Sequence, residues 1–442
     1  MGDFNIGGSA NFCFCAVGGS SGRRRPRGRL VCRVTGDEVV DQAIASLRPD
    51  FEKVDALVQN NLGRVLDAFQ EHRVGSQHFA GNTGYGHGDE GRDVIDRVYA
   101  SIFGCESALV RVQFFSGTHA IAAALFAALR PGDELLSAVG EPYDTLEEVI
   151  GSRGDAPGSL AYYGISYREH PLLPDGTADI AGLIEAISPN TKVVLIQRSC
   201  GYSWRPSLSV ATISEIIAAI KAVNPNIVCF VDNCFGELTE LREPTHVGAD
   251  LVAGSLIKNC GGTLAPTGGY VAGRRDLVKA AANRLSAPGV AGGPSLGFNK
   301  QFLQGLFLAP QIVGESLKGV KLVSRVMSEL GYSVNPKPED TRTDIIQAIR
   351  LGSRERVLEF CKCVQRNSPV GSYIEPTAGI TPGYGDEVVF ADGNFVDGST
   401  LELSADGPLR EPYIVFAQGG THWTHWSLVL RQIVDEIGPY DQ

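Results

Sequence analysis

From residue 108 onward, short apolar runs rich in β-branched residues alternate with segments whose apolar positions recur at helical spacing. The predicted strands are ALVRVQF, ELLSAV, LAYYGISY, TKVVLIQ, NIVCFVDN and DLVAGSL. The predicted helices between them are GTHAIAAALFAALR, DTLEEVIGSR, DIAGLIEAI and SVATISEIIAAIKAV. This alternation predicts an α/β fold with a mostly parallel sheet that is covered by helices. Ligands bind such sheets at the carboxyl ends of the strands, so chemistry is expected there.

The segments on either side of this region complete a four-part organisation. A leader occupies residues 1–36, and a helical N-terminal arm with a long Gly-rich segment occupies residues 37–95. The large α/β domain follows over residues 96–308. A smaller α+β domain is predicted over residues 309–442, where PGYGDEVVFADGNFVDGSTLELSADG alternates like an antiparallel sheet. The helical pattern GESLKGVKLVSRVMSELG would join the two domains.

Composition narrows the class of partner. The chain has 442 residues, 43% of them hydrophobic, and a net charge of −11, which weighs against nucleic-acid binding because phosphates attract clustered Lys and Arg. No segment approaches the roughly 18 uninterrupted apolar residues of a membrane span. The ten cysteines are scattered and are interpreted as reduced thiols. His422 and His425 lack a third ligand at metal-site spacing, so we predict no metal. The acidic net charge favours a small molecule over nucleic acid as the partner.

The leader differs in charge from the rest of the chain. Its 36 residues hold six arginines and one acid, a net charge of +5. This Gly/Ser/Arg-rich, acid-poor composition is typical of an organellar transit peptide and predicts import into a chloroplast. The alternative is a disordered tail on a cytoplasmic protein.

The first two strand ends carry residues that suit an anion and an aromatic contact. Ser116, Gly117 and Thr118 open the helix after ALVRVQF. A helix start presents unpaired N–H groups and a positive dipole end, which suits a phosphate group, although serine is also a common N-cap. Tyr143 lies before the next helix, in GEPYDTL, where it could equally be a partly buried loop residue.

Two charged residues lie at later strand ends. Asp232 follows the apolar run VCFV directly, and Lys258 follows DLVAGSLI. A carboxylate at a buried strand end is costly unless a cation or several donors meet it. The two residues could form an ion pair with each other, or they could contact opposite ends of one ligand. A helix cap or a metal ligand is a further alternative for Asp232.

Taken together, these residues resemble the large domain of fold-type I pyridoxal-phosphate enzymes. The closer resemblance is to the cystathionine lyase and methionine gamma-lyase relatives often called aluminium resistance proteins, in a plant-like form. It is carried by HFAGNTGYGHGDEGRD, QRSCGYSWRPSLS, FVDNCFGEL and GSLIKNCGG, and it extends from residue 37 to the end of the chain.

The resemblance implies a role for each strand-end residue toward pyridoxal 5'-phosphate. Lys258 would hold the cofactor covalently as an imine and later move the substrate's α-proton. Asp232 would pair with the pyridine nitrogen, and Tyr143 would stack on the ring. The phosphate would be bound by four further residues: Ser116, Gly117, Thr118 and Ser255. Tyr85 resembles the tyrosine that reaches a neighbouring subunit's phosphate, which implies a homodimer or homotetramer with shared active sites.

The substrate side is less specific in sequence. Arg410, in LSADGPLREP, could bind the substrate's α-carboxylate or could be an ordinary surface arginine. Arg198 follows another strand end and could reach the ring oxygen or the substrate. The resemblance implies a carbon–sulfur lyase that acts by β- or γ-elimination on cystathionine, methionine or cysteine. The alternatives are an aminotransferase and a cofactor-binding protein with little turnover.

Overall fold

The computed structural model describes residues 35–290 and 292–440, and these form one compact unit. The predicted leader lies outside the described residues except for its last two positions. The described α-helices are α1 Gly36–Glu71, α2 Glu90–Phe103, α3 Gly117–Ala128, α4 Asp144–Ile150, α5 Ile180–Ala186, α6 Val210–Val223, α7 Arg275–Leu285, α8 Asn299–Glu329, α9 Arg354–Arg366 and α10 Trp423–Ile437. None of them is both long and apolar enough to span a membrane.

A seven-stranded sheet forms the centre of the larger half. Its strands are β1 Ser107–Arg111, β2 Glu134–Ser137, β3 Ser166–Glu169, β4 Thr191–Gln197, β5 Val228–Asp232, β6 Leu251–Ser255 and β7 Gly269–Gly273. They are ordered β1-β7-β6-β5-β4-β2-β3, and only β7 runs antiparallel to its neighbours. The predicted α/β fold with a mostly parallel sheet is therefore confirmed.

Both faces of this sheet are buried, as continuous apolar strands require. On β4, Val194 and Ile196 pack into one core, whereas Val193 and Leu195 pack into the other. The first core is shared with α2, α6 and α8, and the second with α3 and α7. The carboxyl ends of β4, β5 and β6 thus lie side by side at one edge between helices.

A six-stranded antiparallel sheet forms the smaller half. Its strands are β8 Ser333–Asn335, β9 Ile346–Arg350, β10 Gly379–Ile380, β11 Glu387–Ala391, β12 Ser404–Pro408 and β13 Ile414–Gln418, in the order β10-β11-β12-β13-β9-β8. Alternate residues such as Val389, Ala405 and Val415 pack into a third core. The opposite face of the sheet is left to line the cavity described below.

Two long helices link the halves. The first part of α1 packs on the small-sheet core through Val40 and Leu47, and its end packs on the large-sheet core through Val65. The helix α8 likewise contributes Leu306 to the large-sheet core and Leu322 to the small-sheet core. The predicted boundary at residue 308 falls inside α8, so this helix belongs to both halves.

Local detail differs from the sequence prediction at two places. LAYYGISY, predicted as one strand, contains a short 3-10 turn over Ala161–Tyr163, and β3 begins only at Ser166. Gly164 ends that turn with a φ of 75°, a left-handed conformation that glycine adopts without strain. The strand β7 was not predicted, because GYVAG is short and glycine is a poor strand residue.

Candidate active site

A cavity of about 330 Å³ lies between the carboxyl ends of the large-sheet strands and the open face of the small sheet. Seven of the predicted site residues line it: Ser116, Gly117, Thr118, Tyr143, Asp232, Ser255 and Lys258. The opposite wall includes residues of β9, β11, β12 and β13. The cavity therefore exists only because the two halves of the chain face each other.

The floor of the cavity contains a site that is complementary to an anion. Ser116 caps α3, since its Oγ accepts a hydrogen bond of 3.1 Å from the His119 N–H. A Cβ atom on Gly117 would lie 3.0 Å from the Ser255 Cβ, so only glycine keeps the helix start this close to β6. The buried Ser255 Oγ has no hydrogen-bond partner in the described structure. A hydroxyl donor beside a helix N-terminus is complementary to a phosphate group.

Lys258 and Asp232 lie at neighbouring strand ends without forming a direct ion pair. The Lys258 Nζ lies 3.8 Å from the centroid of the Phe235 ring, and the described residues place no carboxylate within 4.0 Å of it. Burial raises the pKa of Asp232, and the nearby Lys258 ammonium opposes that rise. The Asp232 Oδ1 accepts one backbone hydrogen bond, from Cys234, at 3.1 Å. Each charge therefore remains available to a ligand.

Tyr143 is held in place from two sides. Its backbone N–H donates to the Gln197 Oε1 at 2.7 Å, and its hydroxyl oxygen lies 2.7 Å from that of Tyr384. Gly201, with a φ of 58°, passes so close that a Cβ there would lie 3.0 Å from the Tyr143 ring. Burial raises the pKa of Tyr143 well above its usual value, so the phenol is a hydrogen-bond donor at neutral pH.

The wall of the cavity that is formed by the small sheet contains functional groups that were not predicted from the sequence. Asp406 lies on β12, and its Oδ2 accepts a hydrogen bond of 2.8 Å from the Gln418 Nε2. Its Oδ1 is buried and has no hydrogen-bond partner among the described residues. Burial raises the pKa of Asp406 to about 7. Ser404, two residues earlier on the same face, is 3% exposed, and its Oγ likewise has no partner in the described part of the chain. The available signal was the alternation of polar and small residues in ELSADGP.

Arg198 lies outside the cavity, and this geometry corrects the predicted substrate contact. Its side chain is completely buried and donates to the Asn233 Oδ1 at 2.8 Å and to the Glu240 Oε2 at 2.6 Å. A guanidinium paired in this way binds the loop after β5 rather than a ligand. The sequence could not reveal the direction in which this side chain leaves its strand.

Arg410 and Tyr85 also lie outside the cavity lining of the single chain. Arg410 pairs with Asp386 at 2.6 Å and is about half exposed, which matches the surface alternative considered above. Tyr85 is 72% exposed and stacks on His87. Among the described residues, Lys258 is the one lysine or arginine that lines the cavity.

These groups fit pyridoxal 5'-phosphate. The helix start and Ser255 suit its phosphate, the unpaired Lys258 suits its aldehyde, and the buried Asp232 suits the proton of its ring nitrogen. Fold and site together define a fold-type I pyridoxal-phosphate-dependent enzyme.

Comparison with known proteins makes the identification more specific. Residues 36–438 match the methionine gamma-lyase family model, and the chain belongs to this family, a class of carbon–sulfur lyases. The protein YnbB of Bacillus subtilis is 45% identical over 401 residues, which cover 90% of this chain and 94% of YnbB. An L-methionine gamma-lyase of Pseudomonas putida is 26% identical over 235 residues, covering 52% of this chain and 49% of that enzyme.

A solved structure shows the same likeness. The carbon-sulfur lyase involved in aluminum resistance from Clostridium novyi is 43% identical, with a TM-score of 0.87. The match covers 91% of this chain and 96% of that chain. The predicted resemblance to this family is thereby confirmed.

Proposed function

We propose that the protein eliminates a thiol from the β or γ carbon of a sulfur amino acid such as cystathionine, methionine or cysteine. The observation that supports this most directly is the position of Lys258, which forms no ion pair among the described residues. It lies at the strand end next to that of the buried Asp232. Membership of the methionine gamma-lyase family supports the same reaction class.

Each residue at the floor of the cavity would hold one part of the cofactor. Ser116, Gly117, Thr118 and Ser255 would bind the phosphate, and Lys258 would carry the covalent bond. Asp232 would keep the ring nitrogen protonated, because its carboxylate is buried and otherwise lacks a cation at ion-pair distance. When bound, pyridoxal phosphate supplies an electron sink that stabilises the charge left by loss of the substrate's α-proton.

Proton transfer would be divided between two side chains. The Lys258 amine would remove the α-proton once the substrate's own amino group has replaced it. The Tyr143 hydroxyl, positioned by Tyr384, would donate a proton to the departing sulfur. Burial raises the pKa of Tyr143, so the phenol stays protonated and holds the proton that this step requires.

A screen of amino acids with the cofactor-loaded protein tests the proposal. Cystathionine, methionine and cysteine are supplied singly, and keto acid, ammonia and thiol are measured without any added keto acid. Release of all three products is the expected result. Exchange of amino groups only after a keto acid is added would indicate the aminotransferase alternative instead. Imine absorbance with no turnover of any amino acid would indicate a cofactor-binding protein.

The proposed assembly is a homodimer or homotetramer in which Tyr85 reaches the phosphate of a neighbouring subunit. Two large aromatic residues support this assembly, because the single chain leaves Tyr85 72% exposed and Phe115, next to Ser116, 87% exposed. Mixing Tyr85→Phe subunits with Lys258→Ala subunits should restore activity through hybrid sites. A fully active monomer would contradict the shared site.

We also propose import into a chloroplast, on the basis of the +5 charge and scarcity of acids in residues 1–36. A fluorescent reporter fused behind these residues should enter the chloroplast. A diffuse cytoplasmic signal would support the alternative location.

A further inference from the structure

The wall of the cavity that faces the cofactor residues carries two acidic side chains without an ion-pair partner among the described residues. Three carboxylates line the cavity, from Asp232, Asp392 and Asp406, whereas Lys258 is the one lysine or arginine among its described lining residues. Asp232 and Lys258 both have roles in the proposed reaction. Asp392 and Asp406 therefore form no ion pair among the described residues, and Lys258 acts on Asp406 only at longer range.

The pleat of the small sheet directs Asp406 into the cavity. On β12, Ala405 packs into the core beneath the sheet, so its neighbours Ser404 and Asp406 point to the opposite face. Asp406 is directly paired with Phe390 on β11 and with Phe416 on β13. Both phenylalanines also line the cavity, so the carboxylate lies between two apolar side chains.

Two buried acceptors on this face lack partners within the described chain. The Gln418 amide satisfies only the Oδ2 of Asp406, and the Oδ1 is buried and unpartnered. The Oγ of Ser404, two residues earlier on the same face of β12, is also buried and unpartnered. Leaving such atoms unpaired is costly, and a ligand with several N–H donors would remove that cost. Burial raises the pKa of Asp406 to about 7, although the Tyr202 and Gln418 side chains oppose the rise. A cation bound at the carboxyl would favour its ionised form.

The α-carbon end of an amino acid substrate and the substituent on its sulfur differ in how well they would bind to this wall of the cavity. The α-carboxylate would be repelled by Asp392 and Asp406, and the α-amino group is used at Lys258. The group that can approach the small-sheet wall is therefore the substituent on sulfur, which becomes the leaving thiol. A neutral thiol such as that of methionine would leave the Oδ1 of Asp406 unpaired.

We propose that Asp406, with Asp392 and Ser404, forms a subsite for a cation on the leaving group. The preferred substrates are then sulfur amino acids whose departing thiol carries an amino group. The inference rests on the proposed elimination, and it separates such substrates from methionine and cysteine. An ammonium group would be bound by the Asp406 Oδ1 and the Ser404 Oγ, which are both acceptors.

A pair of nearly isosteric substrates tests the subsite. S-(2-aminoethyl)-L-cysteine and S-propyl-L-cysteine differ by an ammonium group in place of a methyl group, and the homocysteine analogues serve for γ-elimination. We expect kcat/KM for keto-acid release to be about 10- to 100-fold higher for the aminoethyl compound, the usual discrimination of a hydrogen bond to a charged group. Equal values for the two compounds would overturn the proposal without requiring any variant.

Two substitutions assign the preference to Asp406. Asp406→Asn keeps the shape and removes the charge, so the ratio between the two substrates should fall toward one. Asp406→Glu keeps the charge and should retain part of the ratio. If Asp406→Asn slows both substrates equally and preserves the ratio, the residue acts in proton transfer or folding and the cation subsite is wrong.

A binding measurement separates this proposal from the elimination on which it rests. The change in cofactor absorbance on adding each amino acid gives a dissociation constant that does not depend on turnover. Tighter binding of the aminoethyl compound without keto-acid release would support the subsite and contradict the lyase. Keto-acid release from both compounds with equal binding would support the lyase and contradict the subsite.

Discussion

The hydroxyl oxygens of Tyr143 and Tyr384 lie 2.7 Å apart, and this contact joins the two halves of the molecule across the cavity. Tyr143 lies after β2 of the large sheet, and Tyr384 lies before β11 of the small sheet. Their rings meet edge to face at 6.0 Å. The small domain thereby positions a side chain that the large domain presents to the cofactor.

Tyr143→Phe should lower kcat for thiol release by about 100-fold, since a positioned general acid contributes at least this much. Binding of the cofactor should change far less, because the ring remains and only the hydroxyl is lost. Steady-state kinetics and a cofactor titration check both values.

Tyr384→Phe is the matched control for this prediction. It removes one hydrogen bond to Tyr143 and should lower kcat by about 10-fold, the loss expected for a single hydrogen bond. A larger loss from Tyr384→Phe than from Tyr143→Phe would make Tyr384 the proton donor.

Lys258→Ala should abolish covalent cofactor binding, because the cavity offers no other lysine among its described lining residues. Borohydride reduction of the wild-type protein followed by peptide mapping should label Lys258. Labelling of Lys192 or Lys300 would show that the assignment is wrong.

Arg198→Met should lower the free energy of unfolding by about 3–5 kcal/mol, since it leaves a buried ion-pair network without one partner. The network involves Asn233 and Glu240, and the guanidinium is completely buried. Urea unfolding followed by circular dichroism measures this change. KM measured on the folded fraction should change little.

Arg410→Met provides the control, because this arginine forms an exposed ion pair worth about 0–1 kcal/mol. A large rise in KM for Arg410→Met, with stability maintained, would restore its predicted role in binding the α-carboxylate.

The raised pKa of Glu237 predicts that the free energy of unfolding depends on pH. Its side chain is completely buried, and burial raises its pKa to about 8. Between the ordinary glutamate pKa and about 8, the unfolded chain loses this proton while the folded chain keeps it. Unfolding is therefore favoured as the pH rises through this window, by at most about 1.4 kcal/mol per pH unit from this group.

Glu237→Gln mimics the protonated carboxyl and should remove this dependence. The groups around Glu237 include Tyr270, Glu243 and Lys258, and they are present in both the variant and the wild type. The stability of the variant relative to the wild type should rise between pH 5 and pH 8. A constant difference would indicate that Glu237 is ionised in the folded protein.

Local patterns were sufficient to predict the large sheet and the residues at its strand ends. TKVVLIQ forms β4 at its predicted bounds, Asp232 is the last residue of β5, and Lys258 follows the neighbouring β6. Both features depend on short-range sequence: apolar β-branched runs favour strands, and consecutive parallel strands end at the same edge. The position of these two residues at one cavity needed no knowledge of long-range contacts.

The opposite wall of the cavity depends on the tertiary structure. Asp406 and Ser404 reach the cavity because β12 pairs with β11 and β13 in a register that turns Ala405 toward the core. A shift of one residue would have turned the polar side chains away, since side chains alternate between the faces of a sheet.

The sequence by itself determined the α/β fold, the strand-end pair of Asp232 and Lys258, and the helix start at Ser116. Only the tertiary structure decided that Arg198 turns into a buried ion-pair network and that the small sheet presents Asp406 to the cavity. The physical reason is that backbone preference and apolar spacing act over a few residues. The partners of a charged side chain, by contrast, are set by chain segments that meet only after folding.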